Sequence, residues 1–367
     1  MALEYDIELA ETVGEIVDRL ITVQIAGAGG GAAKTAKPIC PQLYDAARAA
    51  QGDKALTFLA AKAIMENVQP RDTVALSAGL MIAPSMREEV DGVLGIVGLA
   101  RAVALGCGAT PVILTEDTNL PRVEWVVKAA GLNPQPIDIA LQLPYAVGMV
   151  VLPRDPEKTV QAMKDLYAKA RPKVLVVSEK MGPSDIGIYR TGPGFDLSKI
   201  AGKTQEMVNT LKELGTITIG IGDGGNEVGM GLIKEDIRRI FSGDSAAATV
   251  TDILITAATG NLGAYGIEAV LAAAYGLEEV LHGVEIEKQM ELGSIFGGLI
   301  DPQAGIANGW TDTMEPCVAE AIILLLQHLV RNRLAKKDTE KAARKKAREF
   351  TKEQTQAVID EWEKKLS

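Results

Sequence analysis

Five short apolar runs, most of them followed by a helix-length stretch, constrain the fold more than any other feature of this 367-residue chain. They are TVALSAG at 73–79, PVILTED at 111–117, KVLVVSEK at 173–180, TITIGIGD at 216–223 and DILITAATGN at 252–261. Helical patterns occupy 93–105, 120–130, 157–170, 198–213, 226–241 and 263–275. This alternation predicts an α/β fold with a mostly parallel sheet and flanking helices. Residues 4–22 and 42–67 read as helices, and the proline-rich segment 132–155 reads as an edge hairpin or an insertion. Three parts follow: an N-terminal helical segment, 1–70, packed on the core; an α/β catalytic domain, 71–310; and C-terminal helices, 311–367. The stretch 331–367 is dense in Lys, Arg and Glu, as a solvated helix or a subunit-packing arm would be, which leaves a homo-oligomer open.

Ligands of an open parallel sheet bind beyond the carboxyl ends of its strands. The residues found there are Ser77; Glu116 and Asp117; Ser178, Glu179 and Lys180; Asp223 with Asn226 and Glu227; and Thr259 and Asn261. REEVDG at 87–92 adds Glu89 and Asp91 just ahead of a helix. Carboxylates gathered without a counter-charge raise one another's pKa, so the pattern implies a bound cation. Oxygen ligands without nearby His or Cys suit Mn²⁺ or Mg²⁺ rather than zinc.

GIGDGGNEVGMG, 220–231, places six glycines among twelve residues. It satisfies the dinucleotide-binding spacing, but Asp223 would put a negative charge where the pyrophosphate sits, and the next strand ends without a ribose-binding acid. As a metal loop it is chemically consistent: Asp223 projects from the strand end, and Asn226 and Glu227 begin the next helix facing back toward it. The loop is similar to the metal-binding loop of haloacid dehalogenase-type phosphatases, whose Asp-x-Asp nucleophile has no counterpart here. GAGGGAAKT at 27–35 has Ala28 and Ala33 where a phosphate-binding P-loop needs glycine.

AGLMIAPSMREEVDGVLGIVGLARAVALG, SEKMGPSDIGIYRTGPGFDLS, GIGDGGNEVGMG and, more weakly, ATGNLGAYGIEAV together resemble the D-glutamate cyclase-like family over roughly residues 70–310. The resemblance implies a Mn²⁺- or Mg²⁺-dependent lyase that converts D-glutamate to 5-oxo-D-proline and water. On that reading Glu179, Asp223 and Glu227 are catalytic. Asp223, Glu227, Glu89, Asp91, Glu179 and Asp301 are metal ligands, and Lys180, Arg190, Tyr189, Asn226 and Asn261 bind a small acidic substrate. Asp301, in GGLIDPQAG, is alternatively a turn acid, and Glu116 and Asp117 are alternatively capping acids in a solvated turn. The second reading is a Mn²⁺- or Mg²⁺-dependent phosphatase acting on a phosphorylated substrate with metal-activated water. A ligand-binding regulator without turnover is the third.

A net charge of −10 argues against binding nucleic acid. The most apolar helical stretch, 317–330, is too short to span a bilayer and carries Glu320 and His328, so no membrane association is expected. The start, MALEYDIELAETVGEIVDRL, lacks the pattern of a signal peptide, and three scattered cysteines fit a reducing cytoplasm.

Overall fold

All five apolar runs form strands, and two further strands join them. The computed structural model describes residues 4–24, 38–241 and 246–346, together with 356, 360 and 363. Helices α1 (Ile7–Ile21), α2 (Ile39–Ala50) and α3 (Leu56–Asn67) precede strand β1 (Thr73–Ala78) and a small hairpin, β2 (Met81–Ile82) with β3 (Arg87–Glu88). Next come α4 (Val93–Ala102), β4 (Thr110–Thr115), α5 (Leu120–Ala129), β5 (Asn133–Pro136), α6 (Ile137–Ala140), β6 (Ala146–Val151), α7 (Pro156–Ala170) and β7 (Val174–Ser178). After these lie α8 (Thr204–Glu213), β8 (Ile217–Gly222), α9 (Lys234–Ile240), β9 (Ile253–Thr256), α10 (Gly260–Tyr275), α11 (Val284–Gly297) and α12 (Pro316–Lys346).

Seven strands form one parallel sheet in the order β5-β6-β4-β1-β7-β8-β9. In β7, Val174 and Val176 pack into the apolar cluster that contains α4 and α10, whereas Leu175 and Val177 join the cluster of α7 and α8. Burial on both faces is why these strands read as unbroken apolar runs rather than alternating ones. The chain lays β1, β4, β6 and β5 to one side, then returns past β1 to place β7, β8 and β9 on the other. The carboxyl ends of β1 and β7 therefore flank the point where strand order reverses, the usual seat of a crevice.

Three local expectations are corrected. The segment 132–155 is no hairpin: β5 and β6 run parallel, joined by the short α6. The single helix expected over 42–67 is two, because the chain turns at Gly52 (φ 73°) and Asp53 (φ 58°). The buried Asp18 of α1 then accepts hydrogen bonds from Leu56 N (2.6 Å) and Thr57 N (3.2 Å), capping α3 from outside its own sequence. The helix expected from 226 begins later, as a turn of 3₁₀ helix over Met230–Ile233 that leads into α9. The glycine-rich stretch 27–35 and most of 347–367 lie outside the described residues.

Candidate active site

A cavity of about 350 Å³ opens at the carboxyl ends of β1, β7 and β8. Glu89, Glu179, Asp223, Glu227 and Asp312 line it together with Asn226, and among the described residues no Lys or Arg does. Leu80, Ile82, Ala83, Pro193, Phe195 and Pro302 complete the apolar part of the lining, Leu80 lying beside Glu89, whose N–H donates to its carbonyl at 3.1 Å.

Glu179 is closely packed by its neighbours. It is the first residue after β7 and adopts a left-handed backbone (φ 51°), a conformation that costs a non-glycine residue about 1–3 kcal/mol. Its side chain passes between two glycines. A Cβ on Gly92 would stand 2.8 Å from the Glu179 Cβ, and one on Gly260 would collide with its Cγ. Glu179 Oε1 is buried and accepts no hydrogen bond.

Asp223 follows β8 directly, and its Oδ2 is likewise buried and unpartnered. One oxygen from each of Asp91, Glu179 and Asp223 lies within 4.8 Å of the others, a spacing that suits a shared cation. Asp91 stands behind the cavity lining, and its carboxylate accepts N–H bonds from Gly92, Gly260 and Asn261, each 2.8 Å long. Both of its oxygens thus cap the start of α10, Oδ2 at Gly260 and Oδ1 at Asn261, while the carboxylate stays within reach of the cluster.

Glu227 answers whether the glycine loop could cradle a phosphate. Its Oε2 accepts the Gly225 N–H at 2.7 Å and the Gly224 N–H at 3.3 Å, so the amides of the turn already hold an anion of the protein itself. Val228 N–H donates to Lys180 O, which draws this segment against the chain leaving β7 and delays the helix that was expected from 226.

Burial is the largest cause of the raised pKa values here. It pushes Glu89, Glu179 and Asp223 well above the carboxylate range, and neighbouring acids raise them further. Asp91 is raised by burial against the pull of its three N–H donors. Burial brings Glu227 up to about 7 and, reinforced by Asp91, Asp312 up to about 8. The closeness of the Asp223 and Asp312 side chains raises the former and opposes the rise of the latter.

Several residues expected at the site are committed elsewhere. Lys180 points to the opposite side of the chain from Glu179 and forms a buried ion pair with Glu116, with Glu88 Oε1 at 3.7 Å. Burial pushes Glu88 up to about 8, whereas Lys180 holds Glu116 below its ordinary range despite burial. Glu116 is therefore no solvated capping acid; only Asp117 is exposed, paired with Arg154 at 2.5 Å. Tyr189 is buried under the Lys203 ammonium (4.8 Å from the ring centre) and its hydroxyl reaches Glu206 at 3.4 Å. The Arg190 guanidinium donates to Gly194 O (3.4 Å) and acts on Asp196, while its carbonyl accepts from Asn226 Nδ2 at 3.0 Å. Asn261 Oδ1 accepts from Gly95 N at 2.7 Å, bracing α4 against α10 away from the cavity. Asp301 behaves as a turn acid, accepting from Ala304 N (2.6 Å) and Thr313 N (2.9 Å) and so holding the loop that carries Asp312. His282 is a buried link between α10 and α11, 2.6 Å from Glu268 and 3.2 Å from Glu287; against the effect of burial these carboxylates push it up to about 10.

The Lys180 triad carries a prediction. Lys180→Met strands Glu116 without its counter-charge and is expected to cost about 3–5 kcal/mol in urea unfolding. Adding Glu116→Gln, which retains an acceptor for the Gly202 N–H, is expected to recover much of that loss.

Fold and site together define an α/β protein with an acid-lined, small-molecule-sized cavity at the strand-order switch of a parallel sheet. The family described as D-glutamate cyclase-like, C-terminal, matches residues 41–326, and the chain belongs to that family. The matched span includes all but the first two residues of α2, the whole of α3 and the loop bearing Asp312. The chain is also similar to human "D-glutamate cyclase, mitochondrial", with 28% identity over 163 residues. That stretch covers 43% of this chain and 25% of the human protein, so the alignment spans about a quarter of the relative's length. Among the described residues no helix is long and apolar enough to cross a membrane.

Proposed function

We propose that this protein is a Mn²⁺- or Mg²⁺-dependent lyase that cyclises D-glutamate or a close relative to the corresponding 5-oxoproline. The observation that carries the reading is the lining itself: five buried carboxylates, no basic side chain among the described residues, and two orphaned oxygens on Glu179 and Asp223. An all-oxygen donor set of this kind fits a hard divalent cation. Asp91, Glu179 and Asp223 would hold it, with Glu89, Glu227 and Asp312 in reach of the same space. When bound, such an ion offsets the carboxylates and polarises the γ-carboxyl of the substrate.

The residues perform the remaining work. The acids attract the α-ammonium and orient its nitrogen toward the carbon of the γ-carboxyl group. A carboxylate held above its ordinary pKa, Glu227 or Asp312, matches a general base that works near neutral pH and removes a proton from the attacking nitrogen. The new N–C bond forms as the C–O bond breaks; of the three ammonium hydrogens one stays on the lactam nitrogen and two leave with the oxygen as water. A phosphomonoester dianion is served less well, because it brings no positive charge to offset the acids. Similarity to human D-glutamate cyclase supports the lyase over the phosphatase.

The test is a paired turnover assay on metal-stripped protein resupplied with Mn²⁺ or Mg²⁺, with D-glutamate and a phosphomonoester side by side. Metal-restored 5-oxoproline is expected. Metal-restored phosphate release instead would move the protein to the phosphatase class, and neither product would sink both readings.

A further inference from the structure

The acids account for five of the residues that line the cavity. A free glutamate, packed at ordinary interior density, fills roughly half of about 350 Å³. Six further lining residues are apolar, Leu80, Ile82, Ala83, Pro193, Phe195 and Pro302, on three separate segments of the chain. Phe195 is 60% exposed at this mouth, although its loop is fixed by hydrogen bonds of Phe195 N to Thr191 Oγ1 (3.1 Å) and of Gly194 N to Thr191 O (2.8 Å). An apolar wall continuous with a polar floor is the usual build of a small-molecule site, with polar groups orienting one end of the ligand and apolar contact holding the other.

Charge points the same way. Free glutamate carries two carboxylates and one ammonium. The ammonium suits the acids, and on the lyase reading the γ-carboxylate goes to the cation. The α-carboxylate is then left facing acids and apolar groups, with only Thr191, Asn226 and Gln303 as neutral polar side chains in the lining. A buried anion without a partner is costly.

We infer that the preferred substrate is a glutamate whose α-carboxyl is capped as an amide bearing an apolar group, such as a glutamyl residue followed by an apolar residue in a short peptide. The cap removes the unmatched charge and places hydrocarbon against Phe195, Ile82 and Leu80. It leaves free the α-nitrogen and the γ-carboxyl, the two groups that join, so the balance of the reaction is unchanged. This inference rests on the lyase reading for its choice of the α position, while the apolar subsite itself is open to a binding measurement independent of turnover.

The experiment is calorimetric binding to the full chain in Mn²⁺ buffer of four probes: D-glutamate, its α-amide, its α-isobutylamide and D-glutamyl-leucinamide. Phe195→Ala, a change at an exposed side chain, is measured beside the wild type, and 5-oxoproline-type product is followed in parallel. The α-amide is expected to bind more tightly than D-glutamate. The isobutylamide is expected to bind roughly tenfold more tightly than the α-amide, and Phe195→Ala to remove most of that gain. A leucinamide as tight as the isobutylamide indicates a peptide source, and a weaker one a small amide; either supports the subsite. If the isobutylamide binds no better than the plain amide, or its gain survives Phe195→Ala intact, the subsite is overturned. Correct binding order without cyclisation of any probe would instead remove the lyase reading and leave the subsite standing.

Discussion

Asp223→Asn is expected to lower kcat/KM for D-glutamate by roughly a thousandfold or more, the scale of losing about 4 kcal/mol of transition-state stabilisation. The same change is expected to make the metal-free protein more stable. Asp223 is buried, leaves Oδ2 without a partner and lies in the field of Asp312, Glu227 and Asp91. A neutral amide of the same shape relieves that repulsion. A side chain whose role is structural would lose activity and stability together, so the opposite signs of the two effects separate function from scaffolding. The gain should be larger at alkaline than at acid pH, because the raised pKa of Asp223 favours its neutral form as pH falls. Steady-state kinetics and thermal melts of stripped protein check both halves. A variant that is inactive and also less stable at pH 9 would remove Asp223 from the centre of the site.

How far the sequence disclosed this site depends on where each acid sits. Glu179 and Asp223 directly follow β7 and β8, so the strand-end rule reaches them, and Glu227 follows from its spacing within the glycine loop. Asp312 was missed because it belongs to no strand: it lies in NGWTDTMEP, a polar break before α12, and Asp301 folds that loop back over the sheet. A turn in which Asp312 (φ 47°) and Thr313 (φ 68°) are both left-handed leaves no periodic signature to read. Lys180 shows the converse. It immediately follows a catalytic candidate, and a basic residue there looks like a substrate ligand, yet the step from one residue to the next turns it to the far side. Its partners Glu116 and Glu88 come from distant segments, and no local pattern announces their pairing. The sheet itself was legible because burial on both faces writes continuous apolar runs, whereas β5 carries two prolines at an edge and gives no such signal.

The pH dependence of stability offers a test that needs no substrate. In an unfolded chain Glu227 and Asp312 titrate near their ordinary values, 4.5 and 3.8; in the fold they rise to about 7 and about 8. Between those limits the native state binds more protons than the unfolded one, so stability falls as pH rises. Their stabilising share is complete below pH 4 and gone above pH 8. Glu88 and Glu291, each raised to about 8, and His282, raised to about 10, slope the same way, so the share of the site has to be isolated by difference. The metal-free wild type is expected to lose about 5 °C or more in melting temperature between pH 5.5 and 8.5, and Glu227→Gln distinctly less. Mn²⁺ requires the deprotonated carboxylates, so it should restore most of the loss at pH 8.5 and little at pH 5.5. Differential scanning calorimetry across that range, with and without Mn²⁺, decides the matter. If Mn²⁺ fails to raise the melting temperature at pH 8.5, the carboxylates are compensated by something other than a divalent cation, and the metal assignment falls even if the protein proves to be a lyase.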